Sequence, residues 1–247
     1  MRPVAGKYKT EAIVLRSIRY GEADRILHLY SATRGRIGAI AKGSRRPKSR
    51  FGGRLEPFFR LNLVLYEGRG DLFTVTGAST VDGHARLRSN GPALGAAGRA
   101  CDAVLRLLDS EEPNVGAYNL LCRYLTILDG GGPGAAIDGA FGLSTALAFR
   151  MKLALAAGFA PELAACARCG EGDGLTGFSG AAGGVVCEAC ERDGFPISAD
   201  AHRFMVEALG RPLAEAPAAG DLALRQAERA IRETLEHHAH VQLRAAA

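Results

Sequence analysis

The 247-residue chain has no apolar run approaching the roughly 18 residues that a membrane span requires; its most apolar stretch, Ala146 to Ala160, is interrupted by Arg150 and Lys152. No membrane-spanning helix is expected. The basic residues within Met1 to Lys9 are not followed by the apolar core of a secretory signal, so the expected compartment is the cytoplasm. The phosphate-loop pattern Gly-x-x-x-x-Gly-Lys-Ser/Thr is absent, which excludes nucleotide hydrolysis by that route. The His-x-Glu and Pro-Cys-x-x-Cys signature of zinc deaminases is absent too. No nucleophile can be grouped with a base and an orienting acid. Aromatic residues are few, 6 Tyr and 10 Phe with no Trp. These absences point away from an enzyme.

What is present is an uneven distribution of charge. Residues 1–90 carry 18 Lys+Arg against 7 Asp+Glu, whereas residues 91–247 carry 13 against 19. A basic first part joined to a mildly acidic second part suggests that one domain meets a polyanion while the other supplies architecture or meets protein partners.

The two parts also differ in hydrophobic period. Ala12 to Ile18, Arg25 to Ser31, Arg36 to Lys42, Leu61 to Tyr66 and Leu72 to Ala78 read as short strands separated by turn residues. Closing five such strands protects their edges, and the OB barrel is the common solution at this size, with an SH3-like barrel as runner-up. From about Gly91 the spacing changes to three and four. Helices are expected over Leu94 to Leu108, Val115 to Leu128, Leu143 to Ala157 (closed by Gly158 and Pro161), Ala199 to Leu209 (capped by Ser198), and Asp221 to about Leu243, with a Gly-rich break at Gly130 to Gly134. The expected fold is α+β and multidomain: a barrel over residues 1–82, a helical bundle over 83–162 and 197–247, and a cysteine-rich insert over 163–196.

Between the third and fourth strands, Gly43 to Gly53 cannot be a strand. Pro47 removes a donor, and four cations repel one another, so an exposed loop is expected. From Arg34 to Arg54 there are eight basic residues, Arg34, Arg36, Lys42, Arg45, Arg46, Lys48, Arg50 and Arg54, and no acidic one. Such a patch would bind phosphates with strong salt dependence and little sequence preference. Phe51, set among Arg50, Gly52 and Gly53, is the expected ring for stacking on an unpaired base.

Cys166 and Cys169 form one Cys-x-x-Cys knuckle and Cys187 and Cys190 another, 17 residues apart. Two such knuckles joined by a hairpin can hold one Zn²⁺ tetrahedrally; four thiolates leave no open position, so the site is expected to be structural. Cys101 and Cys122 fall on helical apolar faces and are expected in the core. Gly172 to Gly177 spells Gly-x-Gly-x-x-Gly, but lies inside the cysteine-bounded hairpin, where a dinucleotide fingerprint has no helix to open. His237, His238 and His240 read as a solvated helix end.

Four N-terminal strings carry a more specific signal: Lys9 to Leu15 (KTEAIVL), Gly21 to Arg25 (GEADR), Ala41 to Arg50 (AKGSRRPKSR) and Leu55 to Phe58 (LEPF). They resemble the RecO family of bacterial recombination mediators, and the order of barrel, helical domain and zinc module resembles that family over nearly the whole chain. The resemblance implies a non-catalytic protein of the RecF pathway. Such a mediator binds single- and double-stranded DNA, anneals complementary strands, and acts with RecR and the C-terminal tail of single-strand binding protein to load RecA. Carried onto this sequence, it implies phosphate contacts from Arg25, Arg34, Lys42, Arg45, Arg46, Lys48 and Arg50, and a nucleoid-associated cytoplasmic location. An RNA-binding or ribosome-associated protein with the same barrel and zinc module is the alternative.

Overall fold

The structure, a computed structural model, describes residues 6–68, 70–130 and 140–246. Strands β1 (Lys7–Tyr20), β2 (Asp24–Ser31), β3 (Gly35–Ala41), β4 (Arg60–Tyr66) and β5 (Phe73–Asp82) close into a barrel in the order β1-β2-β3-β5-β4. The β3–β5 pairing alone is parallel, with Ala39 opposite Phe73. Alternation along each strand fills the interior. Ile37, Ala39 and Ala41 of β3 and Leu61, Leu63 and Leu65 of β4 point inward with Val14, Leu27, Leu29, Phe73 and Val75.

β1 is long because it serves two partners, pairing with β4 through Lys7–Ile13 and with β2 through Ala12–Tyr20. Its register shifts between Val14 and Arg16, and Ile13 and Leu15 on its outer side join Tyr30 in the core of the helical half.

The helices are α1 (Gly91–Leu107), α2 (Val115–Leu128), α3 (Ala140–Ala156), α4 (Ala199–Gly210) and α5 (Asp221–His238). The first two and α4 begin on capping side chains: Asn90 accepts from the Ala93 amide, Asn114 from that of Ala117, and Ser198, as expected, from that of Ala201. α3 ends as the sequence indicates. Gly158 adopts φ 83°, its amide bonds to the Leu155 carbonyl and the Phe159 amide to the Ala154 carbonyl, so two otherwise unpaired carbonyls are satisfied. Of the Gly-rich break at Gly130 to Gly134, all but Gly130 lies outside the described residues.

The last helix is shorter than its apolar period suggests. It stops at His238; His240 turns the chain back with φ 54°, and the Val241 amide caps the Leu235 carbonyl at 3.1 Å. The apolar residues Val241 and Leu243 still pack on the core, but from an extended tail whose Ala246 amide donates to Glu228 Oε1. A tail folded back on its own helix leaves the same apolar pattern as a continuation of that helix.

The cysteine-rich insert folds as β6 (Leu175–Ser179), β7 (Gly184–Cys187) and β8 (Phe195–Pro196), in the order β7-β6-β8. Phe178, Val185 and Phe195 enter the same core as the helices, and the Arg229 guanidinium of α5 lies 4.0 Å over the Phe195 ring. Barrel and bundle are joined as closely. The Arg36 amide donates to the Ser110 carbonyl, and at Gly35 a Cβ atom would stand 2.3 Å from the Glu112 carbonyl oxygen, so only glycine permits this approach.

Candidate nucleic-acid interface and metal centre

The loop joining β3 to β4 is ordered by contacts at both ends. At its start, Asp24 accepts the Gly43 amide at 2.7 Å, the Ala23 carbonyl accepts the Arg45 amide at 2.8 Å, and the Gly21 carbonyl accepts Arg45 Nη1 at 3.2 Å. At its far end Phe51 and Leu55, 2% and 3% exposed, plug the barrel. The burial of Phe51 corrects the expectation of an exposed stacking ring. Gly52 and Gly53, both at positive φ, reverse the chain so that the ring enters the barrel, and the Arg50 guanidinium covers it at 5.0 Å. The open end of a small barrel needs an apolar plug, and the loop supplies it.

Between these anchors Lys42, Arg45, Arg46, Lys48 and Arg50 are all exposed, on one loop braced against the β1–β2 turn. Arg25 and Arg34 differ from them. Arg25 is largely buried, donating to Glu56 at 2.6 Å and Ser17 at 3.0 Å; Arg34 pairs with Glu67 at 3.3 Å and lies over the rings of Tyr8 and Phe73. Both acidic partners lie more than thirty residues away, beyond the reach of a local charge count.

Beside this loop lies the outer face of β1, β2 and β3, which draws residues from three strands and so forms only when they pair. Cross-strand register places Ile18 opposite Ile26 and Ile26 opposite Ile40, while Tyr20, 54% exposed, stands at the β1 end just before the turn that holds Arg45. Arg16 and His28 pair in the adjoining row, and Arg36 is opposite Tyr30. Burial, reinforced by the charges of Arg36 and Arg16, lowers the pKa of His28 and favours its neutral form, so the arginines supply this row's charge. The signal for Tyr20 was a tyrosine abutting a turn glycine, but apolar content alone ended the strand at Ile18.

In the insert, the Sγ atoms of Cys166, Cys169, Cys187 and Cys190 all lie within 4.8 Å of one another, with Cys169 and Cys187 3.7 Å apart. A tetrahedral ion with metal–sulfur bonds of about 2.3 Å would space its ligands by roughly 3.8 Å, so the donor set fits. Backbone bonds hold the first knuckle: the Gly170 amide donates to the Cys166 carbonyl, the Cys166 amide to the Glu171 carbonyl and the Ala167 amide to the Val185 carbonyl. Backbone hydrogen bonding, that of Cys187 foremost, lowers the Cys166 thiol to about 6, whereas hydrogen bonding with neighbouring thiols, Cys187 foremost, pushes Cys190 up to about 12. One thiolate forms easily and further ones are resisted, a conflict that a bound cation removes. Cys101, by contrast, is fully buried in the helical core, where burial raises its thiol to about 12. His238 Nε2 contacts the Gly180 carbonyl at 2.8 Å, and among the described residues the C-terminal histidines join no metal-ligand cluster.

Comparison with known proteins agrees with this layout. Residues 1–84 match the family model "Recombination protein O N terminal" and residues 88–246 match "Recombination protein O C terminal", which gives the class as a recombination protein; the first match spans the barrel and the second the helices and the cysteine insert. The chain is 40% identical over 239 residues to the DNA repair protein RecO of Rubrobacter xylanophilus, covering 94% of this chain and 90% of that one. It is 36% identical over 246 residues to the protein of the same name from Anaeromyxobacter sp. strain K, covering 94% and 91%, and 36% identical over 205 residues to that of Geobacter sulfurreducens, covering 82% and 80%. The chain belongs to the RecO family, and its role lies in DNA repair.

Proposed function

We propose that this chain is a mediator of the RecF pathway that makes and breaks no covalent bonds. It captures single- and double-stranded DNA on its barrel, anneals complementary strands, and with RecR helps load RecA onto strands coated by single-strand binding protein, whose C-terminal tail it receives. The observation carrying this reading is the anchored, acid-free run of exposed cations from Lys42 to Arg50 beside Tyr20. Cations on a braced loop lose little conformational freedom on meeting phosphates, and release of condensed counterions drives association without reading sequence. Neutralising the phosphates of one strand lowers its repulsion of a second, which is what annealing needs. Tyr20, with Ile18, Ile26 and Ile40, offers a surface on which unpaired bases can lie. Arg25 and Arg34, each engaged by a glutamate, brace the barrel around the contact residues.

The four cysteines hold one structural Zn²⁺, chosen over other ions because four thiolates in a tetrahedral set suit it. When bound, the ion supplies folding energy to an insert that pairs few strands of its own.

Reversing the loop charge with Arg45→Glu, Arg46→Glu and Lys48→Glu together should cut affinity for a fluorescent single strand at least tenfold at low salt, with an unchanged circular dichroism melt. Equal affinity would remove the loop from the interface. Competition by RNA as effective as that by single-stranded DNA would favour the RNA-binding alternative.

A further inference from the structure

A second concentration of positive charge lies on the half of the chain whose overall balance is acidic. A cavity of about 290 Å³ on α5 and the returning tail is lined by Arg150, Arg225, Arg229, Arg232 and Arg244 with a single carboxylate, Glu228. That carboxylate is already engaged, accepting from Arg150 at 3.5 Å and from the Ala246 amide. Arg229 pairs with Glu233 at 2.7 Å. Arg225, Arg232 and Arg244 have no acidic partner among the described residues and are exposed. Arg150 is 7% exposed at the base of the cavity, where burial disfavours its cationic form and the charge of Glu228 opposes that effect. Arg150 is thus satisfied by Glu228 and by the Arg244 carbonyl, and the unpaired exposed guanidiniums of Arg225, Arg232 and Arg244 above it concentrate a positive potential that attracts an anion.

The geometry points to a second strand-binding site here, in which the phosphates of a nucleic-acid strand sit against Arg225, Arg232 and Arg244 over Arg150. The inference rests on the DNA-binding reading above and extends it from one site to two. Every cation lining the cavity is a guanidinium, whose planar fork matches phosphate oxygens two at a time. Arg225, Arg229 and Arg232 follow one another at spacings of four and three on one face of α5, a ladder about 10 Å long, which successive phosphates can follow. The lining residues include no aromatic ring, and Ile231, Leu243 and Ala245 give only a shallow apolar rim, a poor anchor for the large side chains of a peptide. α5 packs on α3, α4 and β6, whereas the barrel meets the bundle through α1, Tyr118 of α2 and the turn between those helices, so the cavity and the loop are separate sites. A molecule with two such sites can hold two strands at once.

The test uses the full chain and two thymidine homopolymers that cannot pair, one labelled with a donor fluorophore and one with an acceptor. The natural protein should bring them into energy transfer. Arg225→Gln with Arg232→Gln should abolish the transfer and halve the number of strands bound per chain at saturation, while the strand that remains, held by the barrel loop, keeps its affinity within about threefold. Arg45→Glu/Arg46→Glu/Lys48→Glu serves as the control. If it leaves strand binding intact, the barrel reading fails, whatever happens at α5. If it weakens binding while the α5 variant retains full energy transfer, the second site alone is overturned. Displacement of a fluorescent Asp-rich peptide by the α5 substitutions, with strand transfer unchanged, also overturns it in favour of a protein ligand.

Discussion

Phe51 and Tyr20 take places that their neighbours in sequence do not suggest. A phenylalanine between an arginine and two glycines reads as exposed, yet it plugs the barrel; a tyrosine beyond the expected end of the first strand belongs to β1 and stands exposed beside the basic loop. The difference lies in closure of the sheet, which decides where an end plug is needed and which no local window contains. Phe51→Ala should therefore lower stability by about 3–5 kcal/mol in a denaturant melt. Tyr20→Ala should leave the melt unchanged and weaken single-strand binding by about 1–3 kcal/mol. A destabilised Tyr20 variant paired with a strand-binding defect in a stable Phe51 variant would reverse the assignment. The cysteines were fully legible, because a ligand set needs only residue type and spacing; Arg25 and Arg34 were not, because their glutamate partners are distant in the chain.

At the scale of elements, capping residues and apolar period located most helices closely. Val115 to Leu128 matches α2 at both ends, since Asn114 fixes its start and the apolar stripe its length. The β6–β7 hairpin is anchored in the helical core by Phe178 and Val185, whereas its knuckles rest on a small buried cluster of Cys166, Val186 and Cys187. One equivalent of zinc per chain is expected by elemental analysis, and Cys166→Ser or Cys190→Ser should lower the melting temperature of the helical half while the barrel signal persists. Freshly purified protein without metal, or a serine variant that melts normally, would contradict the structural role.

At the scale of the whole molecule, Glu11 is one of the polar links between barrel and bundle, beside the Arg16–Asp102 pair and the bond from the Arg36 amide to the Ser110 carbonyl. Its Oε1 accepts from Tyr118 of α2 at 2.7 Å and from Arg60 at 2.6 Å. Burial alone would raise its pKa, but those bonds and the Arg60 charge outweigh burial and hold it below the ordinary 4.5. A carboxyl depressed on folding contributes stability above its unfolded pKa and loses that contribution as pH falls through the folded value. Melts taken downward from pH 5 should show a destabilisation in the natural protein that is smaller in Glu11→Gln; equal acid sensitivity would place the titrating group elsewhere.

The uneven charge of the two halves was plain in the sequence, but its division into a barrel loop and an α5 cavity was not, because the tail that completes the cavity returns only in three dimensions. The central claim is electrostatic capture by the barrel loop, and the dependence of single-strand affinity on salt tests it most directly. The logarithm of the binding constant should fall steeply and linearly with the logarithm of salt concentration, and the slope should shrink by about 2 in Arg45→Glu/Arg46→Glu/Lys48→Glu, about 0.7 for each lost phosphate contact. An unchanged slope in that variant would contradict the account.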